Sequence, residues 1–216
     1  MDQAGLSQLL TPLNRLALSY APASSRPQFL ALFTLDARLA GIVRAAREPL
    51  LGQMRLAWWR DRLAEDCSLW PAGEPVLAAL QSWRGQHQTL APLVDGWEAL
   101  LGDLPLTLDE FCQNANGRGQ SFAALAQLSG NQWAAQDASR MGANWGLADL
   151  ASHVSHPDEK TAILNHIGDQ DWTQARLPRA LRPLTVLHGL ARRDRAGGHH
   201  PVLTILAAIR LGLLGR

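Results

Sequence analysis

An all-α fold is what this sequence predicts, on three observations. Apolar residues recur at helical spacing through most of the chain. No run of alternating β-branched residues is long enough to make a strand. Short proline-, glycine- and serine-bearing stretches, such as "APASSRP" and "SLWPAGEP", punctuate the periodic segments as turns and loops.

The segments follow in order. Leu6 to Ser19 reads as a first helical stretch, interrupted near Pro12. Ser24 or Ser25 is placed to cap the next helix. That helix contains "LALFTLDARLAGIVRAAREP", in which Leu32, Leu35, Leu39, Ile42, Val43 and Ala46 form one apolar stripe beside arginines. Pro49 stops or kinks it. In "LLGQMRLAWWRDRLAED" the spacing puts Leu51, Met54, Trp58 and Leu63 broadly on one face. "VLAALQSWRGQHQTL" and "APLVDGWEALLGDL" read as two further helices. Thr107 and Glu110 make the S/T-x-x-E capping-box pattern and open a long helix through "CQNANGRGQSFAALAQLSG". Its polar, glycine-bearing middle, Asn114 to Ser121, reads as an interruption. "WAAQDASRMGANWGLADLASHV" is the next helix, "HPDEK" a turn, and Thr161 to Ile167 a short helix. The arginine-rich remainder holds two helices separated by "RAGGHH".

With 216 residues, the chain suits one domain spanning 1–216. Hydrophobic residues make up 47% and charged ones 18%, so it can bury a sizeable core. A formal net charge of +1 gives no global attraction to nucleic acid. The two cysteines, Cys67 and Cys112, have neither disulfide-framework nor zinc-site spacing and read as reduced thiols of a cytoplasmic protein. "MDQAGLSQLLTPLNRL" lacks a signal peptide's basic start and apolar core. No apolar run approaches the length of a membrane span.

Common enzyme motifs are missing: there is no phosphate-binding P-loop, nucleophile elbow or H-E-x-x-H pair. His153 and His156 could share a helix face near Asp149, but His156 precedes Pro157, so a solvated helix end is the simpler reading. His199 and His200, in a glycine loop, read as solvent-facing. Of the 8 tryptophans, Trp58 and Trp59 are adjacent and must point in different directions, so at least one should face the core.

Several of these segments carry a resemblance. "LALFTLDARLAGIVRAAREP" with "MRLAWWRDRL", then "LVDGWEALLGD", "TLDEFCQNANGRGQSFAALAQLSG" and "MGANWGLADL", stand in the order found in the squalene/phytoene synthase family. The likeness runs from about Arg26 to Leu150 and continues loosely through "LPRALRPLTVLHGLARRD". It implies an isoprenoid synthase-like helical bundle around a central cavity. Active members resemble "ALYAFCRxxDDxxDE" on the opening helix and "QLTNxxRDxxED" later on. Those acids hold Mg²⁺, which in turn holds the substrate diphosphate.

This chain departs from that pattern. Without a gap, the first acid positions fall on Ala40, Gly41 and Arg44. Asp36 lies one turn early and is expected to pair with Arg38 and Arg44. In the second motif, Asp149 falls near the family's asparagine, and Ser152 and His153 fall near its arginine and aspartate. Asp158 and Glu159 are expected too far along, in a turn. A further family acid corresponds to a place near Leu100. The expectation is therefore a family member without its Mg²⁺ ligands and with no catalytic residue or cofactor. Arginine binds phosphate but is no Lewis acid, so Arg38, Arg44 and Arg55, with Asp149, remain as ligand- or anion-binding candidates.

A branch of the family with similarly eroded acids includes respiratory complex I assembly factors, and the chain looks closer to that branch. That likeness implies an isoprenoid or lipid ligand or a protein partner. A cytoplasmic location is expected, with the basic C-terminal part touching the inner membrane as a peripheral contact. "PVLTILAAIRLGLLG" either packs in the core or lies on the bilayer. The alternative is an active, Mg²⁺-dependent prenyltransferase using Asp36, Asp61 and Asp149 as atypical ligands.

Overall fold

A computed structural model describes residues 3–197 and 201–215. Eleven α-helices and no strand occur among them, as the periodicity predicts. The opening stretch is two helices, α1 (Gln3–Ser7) and α2 (Pro12–Ser19). Thr11 starts α2 by accepting from the Asn14 amide, and Pro12 occupies the first turn, where its missing N–H costs nothing. The arginine-flanked helix is α3 (Arg26–Ala45). Ser25 does hold its N-cap position, but its hydroxyl donates to the Ala180 carbonyl instead of capping, and so ties α3 to a distant segment.

Leu32, Leu35 and Leu39 of α3 are buried, whereas Ile42, Val43 and Ala46 are only partly covered. Helix α4 (Pro49–Ala64) corrects the expected face. Its buried residues are Gly52, Leu56, Trp59 and Leu63, while Leu51, Met54 and Trp58 are exposed. The inward stripe therefore lies about one position round from the one the spacing suggested. Helix α5 (Pro75–Leu80) is shorter than predicted. After it the chain turns at Arg84 and Gly85, both at positive φ, and two short 3₁₀ turns replace the single helix.

Helix α6 (Ala91–Ala99) leads to α7 (Leu108–Leu128). The Glu110 carboxylate accepts from the Thr107 amide, as the capping pattern requires, and also from the Thr107 hydroxyl. The polar middle of α7 is not an interruption. It is continuous helix, and Asn114, Gly117, Arg118, Gly119 and Ser121 are all buried. Glycine is needed here for close approach. A Cβ on Gly117 would strike the Pro92 carbonyl of α6, and one on Gly119 would lie 2.5 Å from the Ser139 carbonyl of α8 (Ala135–His153). Helix α7 thus packs closely between α6 and α8.

"HPDEK" is also corrected: it forms the start of α9 (Pro157–Asp169), so Asp158 and Glu159 lie in a helical first turn. Helix α10 (Arg182–Arg195) packs on α8, α2 and α11 (Pro201–Leu214). Within α11, Ala208 and Leu211 are buried against this layer, while Ile209 and Leu213 are exposed. His199 and His200 lie outside the described residues. Among the described residues, no helix is long and apolar enough to cross a membrane.

Candidate functional site

The site is built where α3, α6, α7 and α8 meet. Midway along α7, the Arg118 side chain is almost wholly buried. Its Nε donates to Asp36 Oδ1 on α3 at 3.1 Å. Its Nη1 donates to Asp149 Oδ2 on α8 at 2.9 Å and, more weakly, to the Gly146 carbonyl. Trp97 of α6 donates its indole N–H to the same Asp36 oxygen at 2.8 Å. The guanidinium lies over two indoles, with its central carbon 4.7 Å from the Trp97 ring and 5.2 Å from the Trp145 ring. Phe122, at 5.8 Å from Trp145, extends this aromatic wall toward Phe33 and Phe29.

Burying a lone guanidinium would be costly, because water no longer solvates it. Burial pulls the pKa of Arg118 down, and the charges and hydrogen bonds of Asp36 and Asp149 more than reverse this, so the net direction is up. One cation thus ties together two carboxylates from different helices.

Beside this network lies a cavity of about 250 Å³. Leu9, Ala37, Ala40, Val43, Leu100 and Phe111 supply apolar wall, while Asp36, Arg118, Asp149, His153 and Glu159 supply its charged and titratable side. A larger groove of about 620 Å³ adjoins it, sharing Trp145 and Asp149 and including Ser152, Lys160, Leu164 and Arg195.

Some candidates gather here and others do not. Ala40 is buried in the cavity wall, and Arg44 stands at the wall with its side chain exposed. Gly41 is not part of the wall, and a Cβ there would meet open space. Asp149 and His153 line the cavity, whereas Ser152 lines the groove and donates to the Asp149 carbonyl. His153 Nδ1 also reaches that carbonyl at 2.8 Å, while His156 is exposed at the N-cap of α9.

The expected pairing of Asp36 is corrected. Asp36 is inward-facing and bound by Arg118 and Trp97, whereas Arg38 turns outward to Glu74 at 3.3 Å. The two residues are separated by about 200° around α3, so they cannot share a face. Asp61 and Arg55 are exposed on α4 and lie outside the cavity wall.

Three contributors escaped the sequence reading. Arg118 sits in the segment that reads as a break, Trp97 carries no sequence signal that marks it as a site residue, and Glu159 falls in the stretch expected to be a turn. Glu159 is in fact buried at the cavity and accepts from the Leu106 amide at 2.7 Å. The available signal for Arg118 was the i−1, i+1 pair of glycines around it, which marks close packing on both flanks.

A Mg²⁺ cluster of the kind the resemblance implies needs several unengaged oxygen ligands. Ala40, Gly41 and Arg44 offer no carboxylate, and Asp36 and Asp149 are already held by a guanidinium. Among the described residues, no group of three or more His, Cys, Asp or Glu side chains is arranged to hold a metal ion. The residues present therefore do not fit that ion.

Fold and site together define an all-α, isoprenoid synthase-like protein with a helix-lined cavity. The squalene/phytoene synthase family model matches residues 14–164, well over half the chain. The chain belongs to the squalene/phytoene synthase family. No curated protein and no solved structure matches it.

Proposed function

We propose that this chain is a non-catalytic member of the squalene/phytoene synthase family that binds an apolar ligand or a protein partner and uses no Mg²⁺. The observation that carries this reading is the engagement of Asp36 and Asp149 by Arg118. Prenyl diphosphate chemistry in the family needs carboxylate-bound Mg²⁺ to draw off the diphosphate leaving group. An internal guanidinium neutralises the carboxylates locally without supplying open coordination positions or Lewis acidity. Retention of the cavity beside it supports a binding role.

The likeness to the branch that includes respiratory-complex assembly factors supports a partner-binding or assembly role. Exposed Leu50, Leu51, Met54 and Trp58 on α4, beside exposed Arg47 and Arg55, support docking through that face. The arginines of α10 support a peripheral contact with an anionic membrane from the cytoplasmic side.

The decisive test is turnover. Purified protein is incubated with farnesyl or geranylgeranyl diphosphate and Mg²⁺, and condensed hydrocarbon product and released diphosphate are measured. Neither is expected. Product formation that disappears in Asp149→Ala would overturn the reading in favour of an active prenyltransferase.

A further inference from the structure

The charged side of the cavity bears on what could enter it. Three carboxylates, Asp36, Asp149 and Glu159, face it, against the guanidiniums of Arg118 and Arg44. The Nε and Nη1 donors of Arg118 are engaged by Asp36, Asp149 and the Gly146 carbonyl. Arg44 is exposed and so remains hydrated. These three carboxylates and two guanidiniums sum to one negative formal charge. A diphosphate brings further negative charge into a partly buried site, where like charges repel strongly. No metal-ligand cluster among the described residues would bridge the two.

Asp149 is placed differently from Asp36. Its side chain keeps 25% of its surface exposed, against 9% for Asp36. One of its oxygens is taken by Arg118, and the other lies 3.8 Å from His153 Nδ1, too far for a hydrogen bond. The polar end of the cavity therefore presents a carboxylate acceptor, and a ligand head complementary to it is a hydrogen-bond donor. The remaining wall is largely apolar, which suits a hydrocarbon chain.

Resting on the non-catalytic reading above, we propose that this cavity takes an apolar chain ending in a hydroxyl group, which donates to Asp149, and that it discriminates against prenyl diphosphates. An alcohol places a neutral donor against the carboxylate without adding negative charge. The site's preference is thus the reverse of that of a metal-loaded diphosphate site.

The test is equilibrium binding of farnesol and farnesyl diphosphate to the full chain, each with and without Mg²⁺, by native mass spectrometry and thermal shift. Farnesol is expected to bind at least about tenfold more tightly than the diphosphate. Mg²⁺ is expected to leave that order unchanged. Ala40→Phe, which fills the wall, should abolish farnesol binding; Val43→Trp serves the same purpose if the first variant does not fold. Equal or tighter binding of the diphosphate, no farnesol binding, or farnesol binding unchanged in the filled variants would each overturn the proposal. Release of inorganic diphosphate is measured on the same samples. Tight diphosphate binding without release sinks only the ligand assignment, whereas release sinks the non-catalytic reading.

Discussion

The Arg118 guanidinium on α7 lies 2.9 Å from the Asp149 carboxylate on α8. Its other face of bonding reaches Asp36 on α3, so a single side chain holds three helices in register. An ion network of this kind is sensitive to removal of one member, because the others are left buried and unpaired.

Arg118→Met should therefore destabilise the fold by about 3–5 kcal/mol. Combining it with Asp36→Leu and Asp149→Leu should recover much of that loss, since no charge is then stranded. Urea denaturation of the single and triple variants reads the difference. Equal stability of wild type and Arg118→Met would remove the network from the account.

Trp97→Phe keeps a ring beside the guanidinium but deletes the N–H that Asp36 accepts. A cost of about 1–2 kcal/mol is expected from the lost hydrogen bond and the weaker ring–cation contact. Adding Trp97→Phe to an Asp36→Leu background should cost less than in the wild type, and a double-mutant cycle measures the coupling.

Gly117→Ala tests the close packing of α6 on α7. The added methyl meets the Pro92 carbonyl, part of the backbone and unable to rotate away. Helix separation of this sort should cost about 1–3 kcal/mol. Gly41→Ala serves as the contrast, because its methyl meets nothing and alanine favours helix. A melting-temperature series should show a drop for the first and none for the second.

His188 sets a pH dependence. It is fully buried, stacked on Trp172 and bonded through Nδ1 to Gln174 at 3.0 Å. Burial, helped by Arg140 and Arg192, pushes its pKa down from 6.5 to about 3. The unfolded chain therefore binds a proton that the folded chain refuses between those values. Stability is fully present above about pH 6.5 and falls as pH drops toward 3. The slope from this group approaches about 1.4 kcal/mol per pH unit. Denaturation midpoints from pH 7 to pH 4 should show this loss, and His188→Phe should flatten it.

Much of the fold was legible from local pattern. Helical periodicity located α3, α7 and α8, and Thr107 with Glu110 marked the start of α7, because caps and apolar spacing act within a few residues. The family resemblance was legible too, since its motifs lie in contiguous segments. The inward face of α4 was not: Leu56 and Trp59 were buried in preference to Met54 and Trp58 by the neighbours that α4 meets.

That Ala40, Gly41 and Arg44 offer no carboxylate is determined by sequence alone, because it follows from residue identity. What became of the remaining acids was decided only by tertiary structure. Asp36 has arginines two and eight residues away in sequence, yet its partner is Arg118, eighty-two residues distant. Helix geometry turned Arg38 outward, and glycine-mediated approach of α7 to its neighbours brought Arg118 inward. Charge pairing inside a protein follows distance and desolvation in space, which chain separation does not encode.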